Sequence, residues 1–86
     1  MARMSYCLNM PTEDQFLVYN AESLGPALRH FREQAGLTQA QLAELVGIQR
    51  SYLAELEAGK VSEQTRRLVN LFRVLGARIV IGKADW

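Results

Sequence analysis

The stretch Leu37-Thr38-Gln39-Ala40-Gln41-Leu42-Ala43-Glu44-Leu45-Val46-Gly47-Ile48-Gln49-Arg50-Ser51-Tyr52-Leu53-Ala54-Glu55-Leu56-Glu57-Ala58-Gly59-Lys60 decides the fold. Thr38 stands where a hydroxyl can accept an unpaired N–H of a helix's first turn. Leu42, Leu45 and Val46 follow at helical spacing, and Gly47 supplies a residue at ease with positive φ to end that helix. Ile48, Leu53 and Leu56 define the inner face of a second helix, which Gly59 closes. The spacing predicts a helix over 39–46, a tight turn and a helix over 49–58.

On a helical wheel of the second helix, with Leu53 pointing inward, Leu56 falls about 60° to one side and Glu57 about 40° to the other. Ser51, Ala54, Glu55 and Ala58 fall on the opposite face, with Arg50 and Tyr52 on the flanks. Short side chains in the middle and long ones at the edges let a helix approach the major groove of DNA closely. There Arg50 can donate twice to guanine O6 and N7, Ser51 can donate or accept, and Glu55 can accept from cytosine N4. Gln39, at the start of the preceding helix, is placed for a phosphate, where a helix N-terminus also favours an anion.

Working outward, a helix is expected from near Ser23, as N-cap, to Gly36. Pro26 then falls in the first turn, where its missing N–H costs nothing. Leu24, Ala27, Leu28, Phe31 and Ala35 share one face, with Arg32 on its flank. A fourth helix is predicted over 63–75 with Ser62 as cap. Leu68, Leu71, Phe72 and Leu75 give its inner stripe, and Arg66, Asn70 and Arg73 its outer face. Val69 and Val74 widen the apolar stripe, which suggests a second subunit to bury it. After Gly76, Ala77-Arg78-Ile79-Val80-Ile81 turns strand-like. A lone strand needs a partner: Phe16-Leu17-Val18-Tyr19, its own copy in another subunit, or another chain. Pairing between subunits is the expectation, because an open edge invites it. The run at 16–19 is too short for periodicity to tell a strand from a packing segment. Pro11-Thr12-Glu13-Asp14 reads as a turn.

The 86 residues make one small domain with a modest core, for which oligomerisation is an aid to stability. No apolar run approaches the length of a membrane span, and the first residues lack a signal-peptide core, so the expectation is a soluble, cytoplasmic protein. Cys7 is the sole cysteine and His30 the sole histidine, which leaves no metal cage and no cofactor to expect. Cys7 reads as a small apolar residue in an arm, and His30 as a surface residue of the first helix. There is no Cys/His pairing, phosphate loop or clustered carboxylate pair with a base, so an enzyme is not expected. Residues 1–59 carry four basic against seven acidic residues, net −3. Residues 60–86 carry six against two, net +4, an asymmetry that suits phosphate on one face and a protein partner elsewhere.

The spaced set Leu24-Gly25-x-Ala27-Leu28-Arg29, Arg32-x-x-x-Gly36-Leu37-Thr38-Gln39-x-x-Leu42-Ala43-x-x-x-Gly47 and Tyr52-Leu53-x-x-Leu56-Glu57-x-Gly59-Lys60 resembles the Cro/repressor-type (XRE) helix-turn-helix family. Leu68-x-x-Leu71-x-x-x-Leu75-Gly76 matches its later helix. The resemblance covers about residues 21–76, between an arm at 1–20 and a strand and tail at 77–86. It implies an all-α, lambda-repressor-like bundle of four or five helices with a short C-terminal β-strand, a homodimer and a palindromic double-stranded DNA operator. Carried over by position, Arg50, Ser51 and Glu55 face bases, while Gln39, Gln49, Tyr52 and Lys60 meet the DNA backbone. The family's structural ion pair falls on Arg32 and Glu57, which the wheel also turns toward the interior edge. Two departures stand out: Gln49 replaces the usual Ser or Thr cap, and Glu55 brings a negative charge near phosphates.

The layout beyond Gly76 resembles a narrower group, the HipB-type antitoxins that bind HipA-like kinase toxins. That resemblance implies a strand paired with its dimer mate through Ile79, Val80 and Ile81, and a tail that engages the toxin. The ending Asp85-Trp86 resembles the acidic-residue-then-tryptophan ending of that group, and tryptophan is enriched among interface hot spots. The expected function is a repressor that is also an antitoxin; the alternative is a stand-alone XRE-family regulator without a toxin.

Overall fold

The computed structural model describes residues 15–84. Cys7, the turn at 11–14, Asp85 and Trp86 lie outside the described residues. The chain runs β1 (Gln15–Val18), a 3₁₀ turn (Ala21–Ser23), α1 (Leu24–Gln34), α2 (Gln39–Val46), α3 (Arg50–Glu57), α4 (Glu63–Val74) and β2 (Ile79–Gly82). Among the described residues, four α-helices and one two-stranded sheet make the predominantly helical bundle that the spacing predicts.

The helix ends follow local chemistry. Thr38 caps α2 by accepting from the Gln41 N–H, and the Gln41 side chain accepts in return from the Thr38 N–H, closing a capping box. Gly47 then ends α2 at φ 84°, a left-handed conformation that a side chain with a Cβ resists. Ser62 caps α4 through the Thr65 N–H. The entry to α1 differs from expectation. Ser23 stands at the N-cap position of α1, as expected, but makes no side-chain capping bond; a 3₁₀ turn begins earlier, at Ala21, and Asn20 caps it by accepting from the Ser23 N–H. Asn is as good a cap as Ser, and the tighter turn lets the chain enter early.

The core lies where α1, α2 and α3 meet, around Ala27, Ala43 and Leu53; Val18, Ala21 and Val69 are also buried. Small residues there let the helices come close. Gly25 is the extreme case: a Cβ on it would lie 2.6 Å from the Leu56 carbonyl oxygen, 2.7 Å from that of Glu57 and 2.8 Å from the Gly59 nitrogen. Only a glycine admits the end of α3 so near the start of α1. His30 is half-buried rather than on the surface, with its ring 5.9 Å from Phe16 and 5.0 Å from Phe31, centroid to centroid.

Two expectations are corrected. β2 pairs antiparallel with β1 of the same chain, with Ile79 opposite Val18, Val80 opposite Leu17 and Ile81 opposite Phe16. Where pairing across a dimer through Ile79, Val80 and Ile81 is expected, the structure shows the intrachain strand on one edge of β2. The apolar run at 16–18 is tethered to the same body and needs no second molecule to come into register. The second correction is the rotation of α4. Val69 is its buried residue, and Arg66 pairs with Glu22 of the 3₁₀ turn, so the Arg66 and Val69 side meets the domain. Leu68, Leu71 and Leu75, about 100–160° away from Val69 on the wheel, are exposed at 54%, 60% and 77%. Periodicity finds an apolar face but does not say which body that face meets.

Candidate nucleic-acid interface

The outward surface of α3 exists because its inward side is held at three places. Leu53 is buried at mid-helix. Gly25 locks the C-terminal end against α1. The third hold is a clamp around Glu57, whose side chain is 4% exposed. Arg32 of α1 donates from Nε to Glu57 Oε2 at 2.6 Å and from Nη2 to Oε1 at 3.0 Å. Its Nη1 donates to the Leu37 carbonyl at 2.8 Å, in the loop before α2. Gln39 Nε2 adds a fourth bond, to Glu57 Oε1 at 3.0 Å. One fork of five N–H donors thus ties α1, the loop and α3 together, and Gln39 brings in α2. The Arg32 hydrogen bond, followed by that of Gln39, holds the Glu57 carboxyl below the usual carboxylate range against the opposing pull of burial. The same bond raises Arg32 above its ordinary value.

Arg50, Ser51 and Glu55 are all exposed on α3, and so are Gln49, Tyr52 and Lys60 around it. All six are thus accessible, with Tyr52 and Lys60 on the side of α3 that carries Leu56, where they line a groove with Leu28 and Phe31 of α1. Gln39, the fourth expected backbone-facing residue, sits at the first position of α2 as expected, with its amide nitrogen committed to Glu57. Gln49 is the N-cap of α3 and makes no side-chain capping bond, so the first turn rests on its backbone carbonyl, which accepts from Tyr52 and Leu53. Glu55 makes no ion pair with Arg50. Among the described residues the carboxylates in ion pairs are Glu22, Glu33, Glu57 and Glu63. Arg50 and Lys60 carry no such partner, which leaves both charges available to an incoming anion.

Sequence reasoning missed three contributors. Gln41 was legible as the fourth residue of a Thr-x-x-Gln capping box. The Glu22–Arg66 pair joins residues 44 apart and leaves no local signal. Gly25 stands in the spaced set that carries the resemblance, but its reason, the close approach of α3, is not written in neighbouring residues.

Residues 23–79, two thirds of the chain, match the family described as Helix-turn-helix domain. The chain belongs to that family. The match spans α1 through the start of β2, so it contains the clamp, Gly25 and every residue on the outward side of α3. Among curated helix-turn-helix proteins, a protein of Archaeoglobus fulgidus named as an uncharacterized HTH-type transcriptional regulator is 40% identical over 52 residues, covering 60% of this chain and 74% of its own length. No solved structure matches the chain.

Proposed function

We propose that this protein is a sequence-specific DNA-binding transcriptional repressor that inserts α3 into the major groove. The observation that carries the reading is the division of α3. Leu53 and Glu57 are fixed inside, while Arg50, Ser51 and Glu55 are exposed along the length of the helix. Arg50 reads guanine, Glu55 accepts from cytosine, and Ser51 serves either base. Gln39, Gln49, Tyr52 and Lys60 hold phosphates and set the register. The name of the archaeal relative supports the same assignment. In fluorescence anisotropy on a palindromic site from its own promoter, affinity falls steeply with salt. Arg50→Ala with Lys60→Ala abolishes most of it; unchanged affinity in that double variant contradicts the surface as drawn.

The repressor acts as a homodimer on two half-sites about one helical turn, roughly 34 Å, apart. Support comes from α4, whose Leu68, Leu71, Val74 and Leu75 form an exposed apolar face larger than scattered surface residues produce. The dimer contact is assigned to this face of α4.

A finer reading makes the protein an antitoxin that represses its own operon and binds a HipA-like kinase toxin. The strand that directly follows the helical bundle, with Asp85 and Trp86 beyond it, favours this layout. The alternative is a stand-alone regulator with no toxin partner. Co-purification from the native source separates them: a kinase-sized partner that is lost on deleting Asp85 and Trp86, with operator binding intact, supports the antitoxin. Equal recovery of the partner without the tail removes the tail's role.

A further inference from the structure

Between the 3₁₀ turn and α4 lies a second, polar groove of about 430 Å³, a size that small ligands fill. The buried Ala21 and Val69 form its floor. Glu22 lines it from the turn, and Glu63, Arg66, Arg67, Asn70 and Arg73 line it from α4. Arg66, Asn70 and Arg73 stand four and three residues apart, so they fall within about 60° on one side of the helix. Both carboxylates are already matched. Glu22 pairs with Arg66, and Glu63 lies 3.4 Å from Arg67 Nε and 3.9 Å from Arg66 Nε. Among the described residues Arg73 has no carboxylate partner and the Asn70 amide no hydrogen bond. The groove thus carries one positive charge in excess.

The existing pairs are easily exchanged. Their four side chains are 46–74% exposed, and ion pairs in that setting are worth little. An incoming anion can take Arg66 from Glu22 while the carboxylate turns to water. Guanidinium forks bind phosphate oxygens two at a time, which gives the newcomer the better geometry. We propose that this groove binds a small phosphate monoester, with Arg66 and Arg73 gripping its oxygens and Asn70 donating between them. Such a group carries a charge of about −1.5 to −2 at neutral pH, which answers Arg73 together with the Arg66 charge released from Glu22. A carboxylate or a phosphodiester of DNA carries one charge and leaves a guanidinium unanswered. The groove also adjoins the end of α3. A Cβ on Gly59 would lie 3.5 Å from the Glu22 carbonyl oxygen and 3.7 Å from the Glu22 Cβ, and Lys60 comes next. Glu22, once freed from Arg66, sets a negative charge beside the loop whose Lys60 is proposed to hold a DNA phosphate. Ligand and DNA therefore oppose each other, a coupling that rests on the DNA-binding reading.

Binding itself is tested on the full chain without DNA, so it stands or falls apart from that reading. The probe is adenosine monophosphate in a nuclear magnetic resonance titration at constant ionic strength, with adenosine as control. The expected result is saturable movement of the Asn70 side-chain amide and of the Arg66 and Arg73 Nε–H signals, absent with adenosine. Arg73→Ala, an exposed change whose urea midpoint should match that of the intact protein, weakens binding about tenfold. Linear shifts spread equally over Arg29, Arg50 and Lys60, or equal affinity in Arg73→Ala, would overturn the site. So would a salt slope of DNA binding lowered by about one in Arg73→Ala with no nucleotide binding, which would assign the groove to the DNA backbone. For the coupling, the nucleotide should lower operator affinity severalfold in the intact protein and not in Arg73→Ala. An operator affinity that ignores bound nucleotide would overturn it.

Discussion

The unit formed by α1, α2 and α3 differs from α4 in how completely it satisfies itself. In the first, Ala27, Ala43 and Leu53 are buried, the Glu57 carboxylate accepts three side-chain hydrogen bonds, and α2 begins with a capping box. Leu45 and Val46 of α2 and Tyr52 of α3 are exposed as well, so this unit is closed in its interior and not over the whole of its surface. In the second, Val69 and the Glu22–Arg66 pair hold the helix to the body while Leu71, Val74 and Leu75 remain in solvent. A surface that must present fixed side chains to a rigid duplex needs a closed scaffold behind it. An unburied leucine face is suited to another subunit.

The contrast can be broken most severely at Glu57. Glu57→Ala leaves the part-buried Arg32 guanidinium without its carboxylate, and urea unfolding should show a loss of about 3 kcal/mol. The same carboxylate predicts the pH response. Its pKa is lower in the folded chain than in the unfolded one, so its stabilisation is fully present above the unfolded value of about 4.3 and is lost as pH falls through the folded value. The raised Arg32 value acts in the opposite direction and is lost only at strongly alkaline pH. Urea midpoints should therefore fall steeply below about pH 4, and Glu57→Gln should flatten that limb. Gly25→Ala comes next: a methyl 2.6 Å from the Leu56 carbonyl forces α1 and α3 apart, at about 2 kcal/mol. Thr38→Ala removes the capping box and should cost about 1 kcal/mol. The smallest effect on stability belongs to α4. Leu71→Glu with Leu75→Glu should change the monomer's unfolding free energy by less than about 0.5 kcal/mol. Sedimentation equilibrium should meanwhile show the dimer lost. A large stability loss with unchanged mass would mean that this face packs within its own chain.

The closed unit was the legible one. Thr38, Gly47, Leu53 and Ser62 each act through a local rule, a cap, a left-handed turn or a buried period, and local rules are written in neighbouring residues. The wheel sets Ser51 and Glu55 opposite Leu53 and Arg50 on a flank, and all three are exposed. The less legible features depend on long-range geometry. The rotation of α4 is decided by Val69 and a pair 44 residues apart, Glu22 and Arg66. The partner of β2 is the intrachain Phe16-Leu17-Val18, a pairing between distant parts of the chain that neighbouring residues do not announce. Ser23 holds the N-cap position of α1, and the 3₁₀ turn before it, capped by Asn20, is what the local pattern did not announce.

The most direct test of the central claim, that α3 reads DNA, is selection of bound sites from a random duplex library by the intact protein and by Arg50→Ala. The account predicts a two-fold-symmetric site from the intact protein. In the variant, guanine preference should relax at one position per half-site, by about 1–3 kcal/mol, with the other positions retained. An unselective library, or an identical site from both proteins, would contradict it.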